Sequence, residues 1–471
     1  MPNFGNIQPS THDVGIIGGT TFARYPDMTT EETFNMMVSG IDSKTPALVD
    51  FAGYEEVLDF SVGEARGIFL STRLNELVAV FGDTVYTVTS FLGSREVGRL
   101  DSTNGPVHIT ENFANQIAIE DGRDIWIYNY ETPSFTKAPI DFIPVYIDFQ
   151  DGYFIATADN GKWYLSALSD GTLWDPLDNQ SLQTKADILQ AAVVRDRQVW
   201  IMGQKASEIW MDQGLPPPLF PYVRENSLAI DYGVLSRETI AEGFGMVVWL
   251  AKNEKSNPTI VYTTGNLPIH ISTEGLDFKL SEFENPEDSF GFLYQIDGHV
   301  FYHLTFVTDN FSIVYDFTSK MFFTLTDENR NKHIAKSVVR FGNKLYFISF
   351  NDSKLYEMST NITTYNGKVI PRARITKRFR TPRNEIFIVN RVNVQMEQGQ
   401  SDPPGIVTLS ISKDDGVNYG IDVSQDLKPL GVRRGQVDFW RLGRCDNITF
   451  QFRFWGKNRF VVTNSTMDIY A

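Results

Sequence analysis

Two of the six histidines, His299 and His303, stand close enough in the sequence to share a metal ion. Residues four apart on a strand lie on the same face of a sheet, so this spacing allows two imidazole ligands. No carboxylate or third histidine follows at a helpful spacing, and the intervening Phe301 and Tyr302 are typical of a core strand. The single cysteine, Cys445, excludes an internal disulfide and a multi-cysteine metal site. The sequence therefore predicts no metal ion and no cofactor.

Acid-base and nucleophilic chemistry find no support either. Adjacent carboxylates such as Asp414 and Asp415 would serve glycoside hydrolysis only if they faced each other across a cleft, but neighbours on a strand point to opposite faces. The chain contains no Gly-x-Ser-x-Gly motif, and Cys445 has no histidine nearby. We therefore predict no catalytic residues and no enzymatic activity.

Residues 412–419 match the Asp-box, a Ser-x-Asp-x-Gly element followed by an aromatic residue, and residues 169–174 are a degenerate relative. In sialidases and many other proteins this element is a hairpin turn in which the aspartate accepts hydrogen bonds from nearby backbone amides. A sialidase would also need clustered arginines and a nucleophilic tyrosine, which the spacing does not identify. We interpret both segments as structural turns.

The strongest electrostatic feature is a stretch of six basic side chains with no acidic residue among them. Its members are Arg372, Arg374, Lys377, Arg378, Arg380 and Arg383. One interpretation is contact with DNA phosphates, and the other is docking on an acidic protein neighbour. We favour protein docking, because the rest of the chain is acidic and would attract a basic segment.

Charge is distributed unevenly along the 471 residues, which carry a net charge of −16. From residue 361 to the end, 17 Lys and Arg stand against 10 Asp and Glu, so this part carries +7 and the first 360 residues carry −23. Nonspecific wrapping of DNA needs a basic surface, and this composition argues against it. The change of sign falls where the sequence pattern also changes.

From about residue 67 an apolar strand, a short polar turn and a second aromatic strand recur as a hairpin. The seven instances pair residues 77–81 with 85–88, 116–119 with 125–128, 153–156 with 163–165, 198–202 with 207–210, 246–250 with 260–262, 300–304 with 312–315, and 344–348 with 354–356. Several turns carry Asp-Gly or Asn-Gly, which supply the positive φ angles of tight hairpins. Their spacing of about 35 to 55 residues is typical of four-stranded propeller blades.

We therefore predict an all-β protein, a β-propeller of about seven blades, with six to eight possible, followed by a C-terminal antiparallel β-sandwich. Strict alternation in the segments 386–389, 392–394, 406–410, 448–454 and 467–470 indicates the sandwich. The expected divisions are an irregular N-terminal arm over residues 1–60, a propeller over 61–365 and a sandwich over 366–471. A pair of sandwiches is the alternative fold, which the regular spacing makes less suitable.

No charged-then-apolar leader and no apolar stretch of membrane-spanning length are apparent, so we expect neither export nor membrane insertion. The single cysteine is consistent with assembly in a reducing compartment, such as a cytoplasm.

Residues 188–203 and 207–210 form a central signature, and segments 218–221, 233–236, 248–250 and 269–273 follow it in a fixed order. This signature and the order of the segments resemble the packaged-DNA stabilisation proteins, or tail accessory factors, of short-tailed bacteriophages. Residues 412–420 and 441–444 resemble the last domain of that family. The similarity covers most of the chain after about residue 60.

The resemblance implies a structural virion protein of the tail, also called a tail hub or nozzle protein, that is assembled in the host cytoplasm. It implies a hexameric ring of copies below the head-to-tail adaptor, with tail needle, fibre or spike proteins as further partners. Double-stranded DNA would pass the ring without sequence-specific binding. The implied function is retention of packaged DNA and a share of the ejection channel.

The alternative is a propeller that binds or degrades glycans. An enzyme should carry clustered carboxylates or arginines with shifted pKa values in the central pocket of the propeller. A ring subunit should instead carry large complementary side surfaces.

Overall fold

A computed structural model of the chain describes residues 10–25, 31–41, 44–215, 219–226, 230–252 and 257–470. Strands dominate these residues, with one helix, α1 (Glu274–Ser281), and two single 3-10 turns, Arg237–Thr239 and Pro286–Asp288. Thr273 caps α1 by accepting a hydrogen bond from the backbone amide of Leu276. Within the described ranges, no helix has the length and apolar character needed to cross a bilayer.

The N-terminal segment contributes five strands. They are β1 (Ser10–Asp13), β2 (Glu32–Phe34), β3 (Met36–Ser39), β4 (Ala47–Asp50) and β5 (Gly53–Asp59).

Seven antiparallel sheets, named here blades I to VII, follow in chain order. Blades I to III are β6 (Ala65–Ser71), β7 (Glu76–Phe81), β8 (Thr84–Val88) and β9 (Ser94–Arg99); β10 (His108–Glu111), β11 (Gln116–Glu120), β12 (Ile125–Asn129) and β13 (Ser134–Lys137); and β14 (Pro144–Gln150), β15 (Tyr153–Ala158), β16 (Lys162–Ala167) and β17 (Asp170–Ser181). Blades IV and V are β18 (Leu189–Arg195), β19 (Gln198–Gly203), β20 (Ser207–Asp212) and β21 (Tyr222–Arg224); and β22 (Gly233–Val234), β23 (Ala241–Gly243), β24 (Met246–Lys252), β25 (Thr259–Thr263) and β26 (Ile269–His270). Blade VI is β27 (Ser289–Ile296), β28 (His299–Phe306), β29 (Phe311–Asp316) and β30 (Met321–Thr324), and blade VII begins with β31 (Ala335–Phe341), β32 (Lys344–Ser349) and β33 (Lys354–Ser359).

A short hairpin and eight further strands complete the chain. The hairpin is β34 (Thr364–Tyr365) and β35 (Lys368–Val369). The remaining strands are β36 (Arg372–Ile375), β37 (Phe379–Arg380), β38 (Phe387–Met396), β39 (Ile406–Ser412), β40 (Val423–Asp426), β41 (Val437–Cys445), β42 (Asn447–Trp455) and β43 (Val461–Tyr470).

The blades form a closed ring. The first strands of blades I to IV contact one another in succession, β19 contacts β22 and β23 contacts β27 around blade V, and β27 contacts β31. The ring closes where β31 of blade VII contacts β6 of blade I. Blade VII obtains its outer strand from the N-terminal segment, because β5 pairs antiparallel with β33, from Gly53 opposite Ser359 to Asp59 opposite Lys354. A strand from before the propeller thus completes its last blade, which leaves no open strand edge where the ring closes.

Apolar side chains fill the spaces between neighbouring blades. Trp163 packs between blades III and IV, while Trp200 and Trp249 pack edge to face between blades IV and V with ring centroids 6.3 Å apart. All seven predicted hairpins are present and form the two central strands of each blade. The predicted propeller of about seven blades with a C-terminal sandwich is confirmed.

The N-terminal segment is not an irregular arm over its described residues, and this expectation was wrong. Strands β1, β3 and β4 join β43, β38 and β41 in one sandwich sheet. Strand β2 lies between β30 of blade VI and β36 of the sandwich, so one ten-stranded sheet runs from the propeller into the second sandwich sheet. Apart from the hairpin of β3 and β4, the partners of these strands lie hundreds of residues away in the chain, which local patterns do not reveal. Residues 1–9, 26–30 and 42–43 of the expected arm lie outside the described residues.

Candidate functional site

The basic stretch divides into a buried and an exposed part. Arg372 lies on β36, and only 1% of its surface is exposed. Its Nε lies 2.8 Å from Asp50 Oδ1 at the end of β4, and its other nitrogens donate to the carbonyls of Gly456 and Thr363 at 3.1 Å. Burial outweighs the neighbouring guanidinium and raises the pKa of Asp50 to about 6.

Arg374, two residues further on the same strand, is equally buried. Its guanidinium donates to the carbonyls of Gly19 at 2.8 Å and Gly15 at 3.0 Å, and it pairs with Glu31 at 2.6 Å. Both arginines therefore fasten the N-terminal segment to the sandwich inside one molecule. The expectation that they dock on a partner or contact DNA was wrong for these two, because a buried, paired guanidinium presents no charge to a neighbour.

The remaining members lie closer to the surface. Arg378 and Arg380 pair with Asp415 at 2.9 and 3.3 Å, while Lys377 is exposed and Arg383 keeps 84% of its side chain exposed. The structure thus separates the predicted site residues. Lys377, Arg380 and Arg383 alone keep the exposure that a docking or DNA contact would need.

The Asp-box of residues 412–419 is a turn between β39 and β40. Asp414 Oδ1 accepts the backbone amide of Asn418 at 2.9 Å and lies 2.7 Å from Ser412 Oγ, and the Ser412 hydroxyl in turn accepts the amide of Gly416 at 2.9 Å. The bond from the Asn418 amide is the main cause that lowers the pKa of Asp414 to about 2. These bonds hold a loop, as the turn interpretation expects.

The two spaced histidines have separate surroundings. His299 Nδ1 lies 2.7 Å from Asp316 Oδ2, and the His303 ring lies 5.2 Å from the His333 ring inside the core. Burial lowers the pKa of His303 well below its ordinary value and that of His333 to about 3. Among the residues that the structure describes, no three His, Cys, Asp or Glu side chains are grouped to hold a metal ion.

The axis of the propeller holds a cavity of about 570 Å³ at one end and a smaller one of about 150 Å³ beside it, and His108 lines both. His108, the first residue of β10, lies opposite Glu120 on β11. Its Nδ1 lies 2.7 Å from Glu120 and its Nε2 lies 3.2 Å from Glu238 of the 3-10 turn before β23. One imidazole therefore bridges two carboxylates from different blades.

Ion pairing decides the protonation of this bridge. Burial alone would lower the pKa of His108, but the charge of Glu238 and hydrogen bonds to Glu120 and Glu238 raise it to about 10. Burial alone would raise the pKa of Glu238, but the neighbouring His108 outweighs burial and lowers it. The imidazolium is thus already neutralised by its two carboxylates, an arrangement that fastens two blades together.

Two further cations are held near the axis by backbone carbonyls. Arg66 donates to Gly82 and Ser102 at 2.9 Å and to Gly105 at 2.7 Å, and Lys336 donates to Ala65 at 2.7 Å. Burial lowers the pKa of both. Sequence reasoning missed the whole axial network, because its members meet only once the register of several blades is known. The only part of the network that a local pattern could have indicated is the pairing of His108 with Glu120, and predicting it would have required the register of the β10–β11 hairpin.

Two family comparisons cover most of the chain. Residues 13–363 match the family described as the bacteriophage P22 Gp10 β-propeller, and residues 373–470 match the P22 Gp10 β-sandwich. The chain belongs to the bacteriophage P22 Gp10 family. Members of this podovirus family are structural tail proteins that stabilise packaged DNA, so the chain is a phage virion protein.

Solved structures outside the Gp10 family are similar to the chain at low identity. A streptogramin B lyase is 11% identical with a TM-score of 0.45 over 66% of this chain and 97% of the lyase. A catalytically inactive virginiamycin B lyase from Staphylococcus aureus is 12% identical, with a TM-score of 0.46 over 65% and 99%. The N-terminal domain of Nup159 is 9% identical, with a TM-score of 0.41 over 66% and 95%. No curated protein matches the sequence.

Proposed function

We propose that the chain is the tail hub or nozzle subunit that attaches below the head-to-tail adaptor after genome packaging. In this role it retains the packaged DNA and forms part of the ejection channel. The observation that carries the proposal is the charge division, −23 over the first 360 residues against +7 over the rest, in a chain that belongs to a packaged-DNA-stabilising family.

The geometry of the axis supports a channel between copies. The ion-paired His108 lines both axial cavities, of about 570 and 150 Å³, so side chains occupy the axis of a single propeller. In the proposed ring, a double helix therefore passes beside the propellers. We propose six copies, with DNA contacting the channel wall without sequence-specific binding.

An acidic wall suits this role. It repels phosphates, so DNA slides without the salt-dependent adhesion that a basic wall would give. Retention then comes from steric closure, and the ring offers a platform for tail needle, fibre or spike proteins. The exposed Lys377, Arg380 and Arg383 are proposed to dock on acidic protein neighbours. We place the protein in the virion tail after assembly in the host cytoplasm, without membrane insertion.

Electron microscopy of particles assembled without the protein tests this proposal. We expect most heads to have lost their DNA, while particles complemented with the wild-type chain remain filled. Particles that lack the protein and keep their genomes as well as complete ones would contradict the retention role.

One observation keeps a second candidate, a glycan-binding propeller, open to test. The axial cavity is large enough for a small ligand and is lined by polar side chains, including Arg123, Gln190 and Gln204. Glycan-array binding that is lost in Gln190→Leu would favour this candidate. We expect no binding, because the described residues that line the cavity include no Phe, Tyr or Trp side chain on which a sugar ring could stack.

A further inference from the structure

An apolar groove opens on the sandwich, next to the edge strand β40. Ile421 and Trp440 line it with 91% and 56% of their surfaces exposed, and the cavity between them measures about 570 Å³. Lys413 and Arg441 add two cations to the lining. The one acidic lining residue, Asp414, is already bound by Ser412 and Asn418. The groove therefore presents an apolar floor with a basic rim.

The outer edge of blade III carries the opposite chemistry. Strand β17 is interrupted between Trp174, which faces Ser166, and Asn179, which faces Tyr164, so its residues 175–178 bulge from the sheet. The bulge is fastened by the Leu177 amide, which donates to Asp175 Oδ1 at 2.9 Å, and by the Asn179 side chain, which donates to the Pro176 carbonyl at 2.7 Å. It displays Leu177, 85% exposed, between two exposed carboxylates, Asp175 and Asp178.

These two surfaces lie at opposite ends of the molecule. The sandwich is joined to the ring at blades VI and VII, through β2 beside β30 and through β34 beside β5. Blade III is three blades away from blade VI in one direction and three blades away from blade VII in the other. The groove and the bulge of one chain therefore cannot meet each other.

We infer that the blade III bulge of one copy inserts Leu177 into the sandwich groove of the next copy. The occupant is a second copy because both the apolar knob and its acidic flanks match the apolar floor and basic rim of the groove. A contact between two different surfaces repeats from copy to copy and closes into a ring when the rotation allows it. The inference rests on the proposed function, for which it supplies the interface.

The energetic roles of the two components differ. Burial of Leu177 against Ile421 and Trp440 supplies the apolar contribution of a central anchor. The pairing of Asp175 and Asp178 with Lys413 and Arg441 sets orientation and excludes a copy that presents its own basic sandwich. Replacing Leu177 by Asp should weaken the association of copies about tenfold or more.

Disulfide trapping in purified particles tests the contact. In particles that carry Leu177→Cys and Ile421→Cys together, mild oxidation should give a ladder of cross-linked multimers on a non-reducing gel. Particles with either substitution alone should give monomers, because the contact joins unlike surfaces and the native Cys445 is buried. The combination of Ile421→Cys with Leu267→Cys, an exposed residue of blade V, is the matched control and should also give monomers.

Absence of the ladder in the Leu177→Cys and Ile421→Cys particles would overturn the inference, and so would an equal ladder from the Leu267→Cys control. Charge exchange is an independent measurement. Asp178→Lys and Arg441→Asp should each reduce incorporation of the chain into particles, and the two together should restore part of it. Genome retention is measured separately from cross-linking. A cross-linked ladder in particles that keep their DNA without the protein would support the interface and contradict only the retention role.

Discussion

Arg372 and Arg374 stabilise the contact between the N-terminal segment and the sandwich within one molecule. A charged side chain in a sequence is usually read as exposed, yet these two hold the N-terminal segment against the sandwich through Asp50 and Glu31. Removal of one partner of a buried ion pair leaves the other charge without compensation, which is costly.

Arg372→Met should therefore lower the free energy of unfolding by about 3–5 kcal/mol, as measured by denaturant titration. Arg383→Met, at a side chain 84% exposed, is the control and should change it by less than about 0.5 kcal/mol. Combination of Arg372→Met with Asp50→Asn should recover part of the loss. Equal effects of Arg372→Met and Arg383→Met would show that the buried pair is not formed.

His108 gives the stability of the protein a dependence on alkaline pH. Its pKa is about 10 in the folded state and about 6.5 in an unfolded chain, so its contribution is complete below pH 6.5 and is lost as the pH rises toward 10. His108→Gln should remove several kcal/mol at pH 6 and flatten the alkaline decline. Thermal melts of both proteins between pH 6 and 10 check this, and parallel declines would refute it.

His303 and His333 give the opposite dependence. Their folded pKa values are lowered, so the unfolded chain takes up protons first, and stability falls as the pH drops from about 6.5 toward 3. Neither ring nitrogen of His303 has a hydrogen-bond partner among the described residues. His303→Leu should therefore be tolerated at pH 7 and reduce the acid decline in melts between pH 7 and 4. Equal acid declines for His303→Leu and the wild-type protein would contradict this.

At the scale of elements, closure of the ring depends on β5. Gly53 begins this strand, and a Cβ atom there would lie 2.3 Å from the Ile362 carbonyl oxygen and 2.5 Å from that of Thr364. Gly53→Ala should therefore cost about 1–3 kcal/mol of unfolding free energy through overpacking. Gly265→Ala, at a glycine with open space around it, is the matched control. Similar melting temperatures for the two variants would argue against the closure.

The sequence predicts some of these elements and their pairings but not others. The seven hairpins were predictable because their apolar strands are contiguous and many of their turns carry Gly or Asn with positive φ, as at Gly82 and Gly161. The pairing of β5 with β33 and of β1 with β43 was not predictable, because nothing local specifies a partner so far along the chain. The axial bridge at His108 was missed for the same reason, and the burial of Arg372 because its partner Asp50 precedes it by most of the propeller.

At the scale of the whole molecule, the propeller and the sandwich share strands and are not separable at residue 61. A fragment of residues 61–365 lacks β5 and leaves blade VII without its outer strand. We expect it to melt at a lower temperature, or to aggregate, compared with a fragment of residues 51–371 that retains β5. Circular dichroism melts and size-exclusion chromatography compare the two directly, and indistinguishable fragments would contradict the shared construction.

Retention of DNA by the assembled particle is the property that tests the account most directly. DNA should be packaged into heads that lack the chain, with and without the purified wild-type protein present, the particles then treated with nuclease, and the protected DNA per head measured. We predict that addition of the protein raises nuclease-protected DNA to the level of complete particles. Equal protection with and without the protein would contradict a role in stabilising the packaged genome.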